Sequence, residues 1–238
     1  MAGNTYFHFK QFSIIQEKSA MKVGIDGVLL GAWVDIENCQ RILDIGAGTG
    51  LISIMLAQRS QAEIDAVEID QNAFEEACFN VKNSPWPEKI QVKYCSFQDY
   101  VISCTLKYNL IISNPPYFDN SVPAKTESRT QARNSEFLSL KELIFGTKQL
   151  LSDDGHLVLI FPFDRKDELI CIALEYNLHI HRLMNVRPNP LKKHHRVLIS
   201  FGQYKKPYQE EELMLRERGE STYSNQYQEI VKDFYLKF

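Results

Sequence analysis

The chemistry of this chain centres on a four-residue segment, Asn114-Pro115-Pro116-Tyr117, which follows a strand-like apolar run at 110–113. Two consecutive prolines fix φ, remove two backbone donors and bias the preceding residue away from the helical region. The segment therefore presents carbonyl oxygens and the Asn114 amide from a rigid turn. A flat exocyclic amine can donate its two hydrogens to the Asn114 side-chain oxygen and the Pro115 carbonyl, while Tyr117 stacks on the ring. We predict catalytic roles for these four residues, against the alternative of a strand-ending turn.

A glycine-rich loop upstream predicts a cofactor site. An apolar run at 41–45 stops at three glycines, and residues 51–57 continue with helical character, so the order is strand, turn, helix. Glycines there allow positive φ and a close approach of a ligand to the main chain. Their Gly-x-Gly-x-Gly spacing differs from that of dinucleotide sites, and the preceding Asp44 suits an ammonium group better than a diphosphate. The glycines are Gly46, Gly48 and Gly50.

Two further acids follow the next strand-like runs. Glu68 comes after the run at 64–67, where an acid can accept hydrogen bonds from both ribose hydroxyls of a nucleoside. Asp99 follows the run at 90–94 and is expected to accept from an adenine amino group. One acid at a strand end is usually a solvated surface residue. Three acids in register after successive strands together predict a site for a nucleoside that carries a zwitterionic methionine.

These motifs resemble class I S-adenosylmethionine-dependent methyltransferases, and within them the amino-methyltransferases that carry Asn-Pro-Pro-Tyr. Over nearly its whole length the chain is similar to the bacterial tRNA1(Val) (adenine-37-N6)-methyltransferase family. The segment MKVGIDGVLLGAW at 21–33 resembles that family's N-terminal signature, and residues 132–133 and 138–140 resemble its catalytic loop and next helix. The chain departs from the family pattern at Ile25, where the family has Thr, and at Asn134, where it has His.

The resemblance implies an α/β, Rossmann-like fold with a seven-stranded, mostly parallel sheet and a C-terminal antiparallel hairpin. The patterning agrees with this layout. We predict a two-stranded or extended piece at 5–16, a helix at 25–33 and a second helix at 137–151. The final hairpin is predicted at 178–186 and 196–204.

We predict one methyltransferase domain, with an N-terminal cap and helix at 1–38, a catalytic core at 39–206 and a C-terminal tail at 207–238. The resemblance implies S-adenosylmethionine as cofactor and adenine 37 of tRNA1(Val) as acceptor. The N-terminal helix would pack over the cofactor, with Lys22 or Asp26 in contact, unless this segment is only a helix cap and turn. The cofactor-binding residues that we predict are Lys22, Asp44, Gly46, Gly48, Gly50, Glu68, Asp99 and Asn114.

Composition is that of a globular enzyme. The chain has 238 residues, 44% of them hydrophobic and 24% charged, which suits a single domain with a sizeable core. Its five cysteines are an odd number without Cys-x-x-Cys spacing, so neither a disulfide framework nor a zinc site is predicted. No apolar run reaches the roughly 18 residues that a membrane span needs. We therefore expect a cytoplasmic protein without a metal.

The charge pattern predicts where RNA binds. The formal net charge of −3 excludes a uniformly basic RNA binder, but residues 176–209 contain seven Lys or Arg and no acid. Phosphate attraction is the natural use of such a block. A second candidate is the stretch at 118–137, which is long enough for a loop over the active site. The RNA-binding residues that we predict are Arg129, Arg133, Lys192, Lys193 and Arg196.

Other functions remain open at this point. Protein glutamine N5-methyltransferases share Asn-Pro-Pro-Tyr because a side-chain amide is also a flat, weakly nucleophilic amine, but they usually carry a separate helical domain before the cofactor motif. Ribosomal-RNA guanine N2-methyltransferases and DNA adenine methyltransferases are further enzymes of this kind. From a different class, the chain could be a non-catalytic RNA-binding module that kept a cofactor fold. Donor binding separates an enzyme from such a module.

Overall fold

A computed structural model describes residues 5–116, 138–217 and 222–237. The described residues form ten β-strands and seven α-helices. The strands are β1 (Tyr6–His8), β2 (Ser13–Ile15), β3 (Arg41–Ile45), β4 (Glu63–Glu68), β5 (Ile90–Tyr94), β6 (Tyr108–Ser113), β7 (Leu151–Pro162), β8 (His179–Arg187), β9 (Arg196–Gly202) and β10 (Gln209–Met214). The helices are α1 (Ile25–Trp33), α2 (Leu51–Arg59), α3 (Gln71–Lys82), α4 (Phe97–Ser103), α5 (Leu140–Leu150), α6 (Lys166–Glu175) and α7 (Asn225–Val231).

The central sheet contains eight of these strands in the order β5-β4-β3-β6-β7-β9-β8-β10. Neighbouring strands are parallel, except that β9 runs antiparallel to both β7 and β8. The predicted class I methyltransferase sheet with its antiparallel hairpin is confirmed. All strands but β9 therefore end at one edge, which we call the carboxyl edge, and ligands of open α/β sheets bind there.

Two apolar layers cover the sheet, one on each face. Along β3, Ile42 belongs to the layer formed with α1, α2 and α7, whereas Leu43 and Ile45 belong to the layer formed with α4, α5 and α6. This alternation follows from the two-residue period of a strand. Because both faces are buried, the strands have nearly continuous apolar sequences, which made them recognisable.

The N-terminal segment forms a hairpin and a helix, as predicted. Strands β1 and β2 pair antiparallel, and α1 has the predicted bounds of 25–33. The hairpin is fixed to the C-terminal end of the chain, since Lys10 donates its backbone N–H to the Phe234 carbonyl at 2.8 Å. Between β2 and α1 run residues 16–24, which we call the strap.

Two boundaries differ from prediction. Helix α5 begins at Leu140 because Ser139 and Glu142 form a capping box. It ends at Leu150, one residue before the predicted end, and β7 begins directly at Leu151. The segment predicted as a tail contributes β10, an eighth strand parallel to β8, and helix α7.

Membrane-spanning helices and metal-ligand clusters are both absent from the described residues. No helix there is long and apolar enough to cross a membrane. No group of three or more His, Cys, Asp or Glu side chains in the described part of the chain is placed to hold a metal ion.

Candidate active site

The glycine loop between β3 and α2 forms an open cradle at the carboxyl edge. Gly46, Gly48 and Gly50 have φ of 72°, 57° and 79°, a region that L side chains rarely adopt. A Cβ at Gly46 or Gly48 would meet no described atom within 4 Å, whereas one at Gly50 would lie 3.5 Å from Ala77 of α3. The first two glycines therefore leave space for a ligand, and the third lets α2 pack against α3.

Asp44 lies directly beneath this loop and is fully buried. Its Oδ2 accepts a hydrogen bond of 2.6 Å from Ser53 of α2, and its Oδ1 has no hydrogen-bond partner among the described residues. Burial raises the pKa of Asp44 to about 6; the Ser53 hydrogen bond opposes this shift, and the charge of Glu68 adds to it. A buried carboxylate oxygen without a donor favours a cationic ligand group such as an ammonium.

Glu68 holds the glycine loop in place. Its Oε2 accepts from the Gly48 backbone N–H at 2.7 Å, and its Oε1 accepts from the backbone N–H groups of Ile69 and Asp70 at 2.9 and 2.8 Å. A carboxylate has about four lone-pair positions, so it can accept a further bond. The predicted contact with ribose hydroxyls stays a prediction, and the structure adds a role in ordering the loop.

Asn114 is brought beside the glycine loop by the register of two neighbouring strands. Ile45 pairs with Ser113, and the Ser113 hydroxyl donates to the Ile45 carbonyl at 2.7 Å. The next residues, Gly46 and Asn114, therefore leave the sheet from the ends of two neighbouring strands, whose spacing is about 4.8 Å. Asn114 and Pro115 are half-buried and Pro116 is exposed, whereas the predicted stacking residue, Tyr117, lies outside the described residues.

Two predicted cofactor residues have partners within the protein. Asp99 lies in the first turn of α4, where the Ser96 hydroxyl donates to its Oδ2 at 2.6 Å. Helix α4 follows β5, which neighbours β4, so Asp99 is at the carboxyl edge as predicted. Lys22 is in the strap, and its Nζ donates to the carbonyls of Gln16 and Glu17. Their contacts with a cofactor stay predictions.

Sequence reasoning missed Asn80, which fastens the glycine loop to the N-terminal hairpin. Its Nδ2 donates to the carbonyls of Thr49 and Ile15, each at 2.9 Å, and its Oδ1 accepts from the Ile15 N–H at 2.8 Å. Every polar atom of this buried amide is thus used. It could have been found as a polar residue on the apolar face of α3, beside Ala73 and Ala77.

Glu76, one turn earlier on α3, fastens the strap and was also missed. It accepts hydrogen bonds from the backbone N–H groups of Lys18 and Ser19 and from the Ser19 hydroxyl. Although burial opposes the shift, these hydrogen bonds lower the pKa of Glu76. The carboxylate therefore stays charged and holds the strap against α3.

The basic block at 176–209 contains both paired and exposed charges. Its three arginines each form an ion pair that joins two elements. The pairs are Arg182–Glu211 at 2.7 Å, Arg187–Glu212 at 2.8 Å and Arg196–Asp26 at 2.7 Å. Much of the arginine charge in the block therefore stabilises β8, β9 and β10.

The lysines of the block lie at opposite edges of the sheet. Lys192 and Lys193 are exposed in residues 188–195, which connect β8 to β9 at the carboxyl edge and which we call the basic loop. Lys205 and Lys206 follow β9 and are exposed at the other edge. The block is thus not one surface. Arg129 and Arg133, in the second predicted RNA-binding segment, lie outside the described residues.

Comparisons with known proteins show the family to which the chain belongs. The model of the methyltransferase small domain family matches residues 19–169. A tRNA1(Val) (adenine(37)-N6)-methyltransferase of Parabacteroides distasonis is 43% identical to the chain over 235 residues. The aligned residues cover 99% of this chain and 99% of that protein. The chain belongs to the tRNA1(Val) (adenine(37)-N6)-methyltransferase family.

Solved structures of other methyltransferases have the same fold as this chain. A predicted O-methyltransferase, Atu636 from Agrobacterium tumefaciens, has a TM-score of 0.70 at 19% identity, covering 88% of this chain and 96% of its own. A TehB-like S-adenosylmethionine-dependent methyltransferase from Corynebacterium glutamicum has a TM-score of 0.52 at 16% identity, covering 76% of this chain and 89% of its own.

The methyl donor of this methyltransferase is S-adenosylmethionine. The residues present fit that molecule, because the unpartnered Asp44 oxygen suits its ammonium group and the open space at Gly46 and Gly48 admits a ligand against the main chain. When bound, it supplies a methyl group on a sulfonium centre. Asp44 and the glycine loop would hold it, with Glu68 keeping the loop in its observed shape.

Proposed function

We propose that this chain transfers a methyl group from S-adenosylmethionine to N6 of adenine 37 in tRNA1(Val). The observation that carries the proposal is the strand register, which places Asn114 next to Gly46. The acceptor-binding turn and the donor-binding loop thereby begin at the same point of the carboxyl edge. The names of the relatives, which match the chain over nearly its full length, supply the substrate.

The chemistry at Asn114 follows from hydrogen-bond geometry. The N6 amine of adenine is flat because its lone pair is delocalised into the ring. When its two hydrogens are donated to Asn114 Oδ1 and the Pro115 carbonyl, the nitrogen is held so that the lone pair faces the methyl group. The amine proton can leave after the transfer, so these residues need not include a strong base. Asn114 and Pro115 act by positioning.

Adenine inside a stacked anticodon loop must first be extruded. Extrusion costs a few kcal/mol, and stacking on an aromatic ring stabilises the extruded base by about 1–3 kcal/mol. We assign this stacking to Tyr117. Arg129 and Arg133 are proposed to bind the RNA backbone.

The basic loop is the proposed phosphate-binding surface among the described residues. Lys192 and Lys193 are exposed and lie at the edge that carries Asn114. Only β7 separates β6 from β9, the nearer of the two strands that the loop joins. Phosphates of the anticodon arm can reach these lysines while one base occupies the active site. A tRNA substrate also supports a cytoplasmic location.

The proposal is tested by methyl transfer from labelled S-adenosylmethionine into bulk tRNA from cells that lack the gene. Nucleoside mass spectrometry identifies the product, and sequencing of the labelled tRNA identifies the position. We expect N6-methyladenosine at position 37 of tRNA1(Val).

Parallel acceptors distinguish the alternatives. Label in purified release factor would move the assignment to glutamine N5-methylation, and label in ribosomal RNA to guanine N2-methylation. Absence of both donor binding and label in every acceptor would favour the RNA-binding module.

A further inference from the structure

One ion pair links the donor side of the carboxyl edge to the RNA side. Arg196 Nε donates to Asp26 Oδ2 at 2.7 Å, joining the first residue of β9 to the first turn of α1 across 170 positions. Each side chain is 26% exposed. The Arg41–Glu63 pair has the same length, but its side chains are 39% and 71% exposed. Solvent therefore screens the Asp26–Arg196 pair less.

The Asp26 end is connected to the donor cradle through the strap. The Gln16 side chain accepts from the Val23 N–H at 2.7 Å, closing the strap directly before α1. Glu76 binds the strap at Ser19, and Asn80 binds both the hairpin and the glycine loop. These bonds fix the start of α1 relative to the cradle independently of the ion pair.

The Arg196 end is connected to the basic loop. Arg196 Nη1 donates to the His195 carbonyl at 3.0 Å, and the same carbonyl accepts from the Phe163 N–H at 3.1 Å. The His195 N–H in turn donates to the Val186 carbonyl at 2.9 Å. These bonds fix the C-terminal base of the loop that carries Lys192 and Lys193.

We propose that Arg196 is a positioning residue and not a phosphate ligand. Its ion pair with Asp26 sets the basic loop at a fixed place relative to the strap, so that RNA held by the loop presents its target base to the donor. A guanidinium already bound to a carboxylate gains little by exchanging it for a phosphate. This inference rests on the proposed transfer to tRNA. Within that site it assigns phosphate binding to Lys192 and Lys193 and positioning to Arg196.

A double-mutant cycle tests the proposal. Arg196→Gln and Asp26→Asn should each lower kcat for tRNA methylation about tenfold, because a misplaced acceptor loses near-attack geometry. The double variant should be no slower than either single variant, since both remove one contact. Affinity for the donor and the salt dependence of RNA binding should stay within about twofold of wild type. Exchange of the charges, Asp26→Arg with Arg196→Asp, should recover part of kcat. Arg41→Gln, which breaks the Arg41–Glu63 pair at the opposite edge of the sheet, is the matched control.

Each contrary result has a distinct meaning. If Arg196→Gln raises KM and flattens the salt dependence while Asp26→Asn leaves KM unchanged or lowers it, Arg196 is a phosphate ligand and the proposal fails. Additive losses in the double variant also overturn it. If a single variant unfolds, Arg196→Lys, which keeps the charge but not the forked guanidinium, should still show the kcat loss without a change in salt slope. Absence of methyl transfer to tRNA by the wild type would instead refute the proposed function.

Discussion

Asn114 is the residue at which we propose that donor and acceptor meet, since it follows Ser113, whose strand partner Ile45 precedes Gly46. Asn114→Ala removes the acceptor that orients the amine and should lower kcat for tRNA methylation by about 10²-fold or more. Donor affinity, measured by calorimetry, should change less than about threefold, because Asp44 and the glycine loop are intact. Asn72→Ala, an exposed position on α3, is the control. An Asn114→Ala enzyme with most of its kcat would exclude the positioning role.

Asp44 gives donor binding a pH dependence whose direction is fixed by burial. Its folded pKa of about 6 lies above 3.8, so the donor-free protein loses stability as pH rises through that interval. The donor's ammonium favours the charged carboxylate. Donor affinity should therefore fall as pH drops below about 6 and weaken again above about 8, where an α-amino group loses its proton.

Calorimetric titration of the donor from acid to alkaline pH checks this behaviour. Asp44→Asn should weaken binding at neutral pH by about 1.5–3 kcal/mol, the range for a hydrogen bond to a charged group, and should abolish the acid limb. Persistence of that limb in Asp44→Asn would place the titrating group elsewhere.

At the scale of elements, β4 contributes to the glycine loop and to a separate buried network, because its residues alternate between the two faces of the sheet. Glu68 orders the glycine loop, whereas Asp65 lies in a buried network on the opposite face of the sheet. Asp65 accepts from the hydroxyls of Tyr100 and Tyr108 at 3.0 and 2.5 Å and pairs with Lys93 at 2.8 Å. Burial, together with the Asp65 charge, raises the pKa of both tyrosines, so the hydroxyls stay protonated donors. The network joins α4 and β6 to β4 and β5.

Asp65→Ala should therefore reduce stability without reducing donor affinity. Both tyrosine hydroxyls lose the Asp65 acceptor, and because they also hydrogen-bond each other, one of them is left without an acceptor. This loss should cost about 2 kcal/mol of unfolding free energy, a Tm decrease of about 4–8 °C. Tyr100→Phe removes one hydroxyl and should have a smaller effect. Thermal denaturation with donor titration checks both; a large loss of donor affinity in Asp65→Ala would mean that the network also supports the cofactor site.

The strand that sequence reasoning missed shows what patterning cannot detect. The central strands were recognisable as apolar runs, but β10 begins Gln209-Glu210-Glu211-Glu212 and has no such run. It is held at the edge of the sheet by backbone pairing and by charges from β8, including Arg182 and Arg187. The acids look like a solvated tail until the basic strand beside them is known.

Part of the candidate site was predictable from the sequence. Asp44, the glycines and Glu68 follow recognisable strands, so their meeting at one edge follows from the fold class. Asn80 could be recognised as a polar residue on an apolar helix face, but its partners were not predictable. Those partners, and the contact of Ser53 with Asp44, depend on the rotation of α2 and α3 against the sheet. The Asp26–Arg196 pair joins segments 170 positions apart and required the structure.

At the scale of the whole molecule, the net charge of −3 means that RNA affinity must come from local cationic surface. Lys192 and Lys193 supply such charge at the carboxyl edge, and Lys205 and Lys206 supply the same charge at the opposite edge. The two pairs match in residue type, sequence adjacency and exposure. They occupy opposite edges of the sheet, which makes one pair a control for the other.

Replacement of Lys192 and Lys193 by Gln should raise KM for tRNA several-fold at low salt and leave kcat nearly unchanged. If both lysines bind phosphates, the slope of log affinity against log salt should fall in magnitude by about 1.4–1.8, since each lost contact contributes about 0.7–0.9. The same change at Lys205 and Lys206 should leave the slope within about 0.5 of wild type, because no phosphate contact is lost. Filter binding across a salt series measures both variants. Equal slopes in the two variants would mean that RNA responds to overall charge and does not bind at the carboxyl edge through the basic loop.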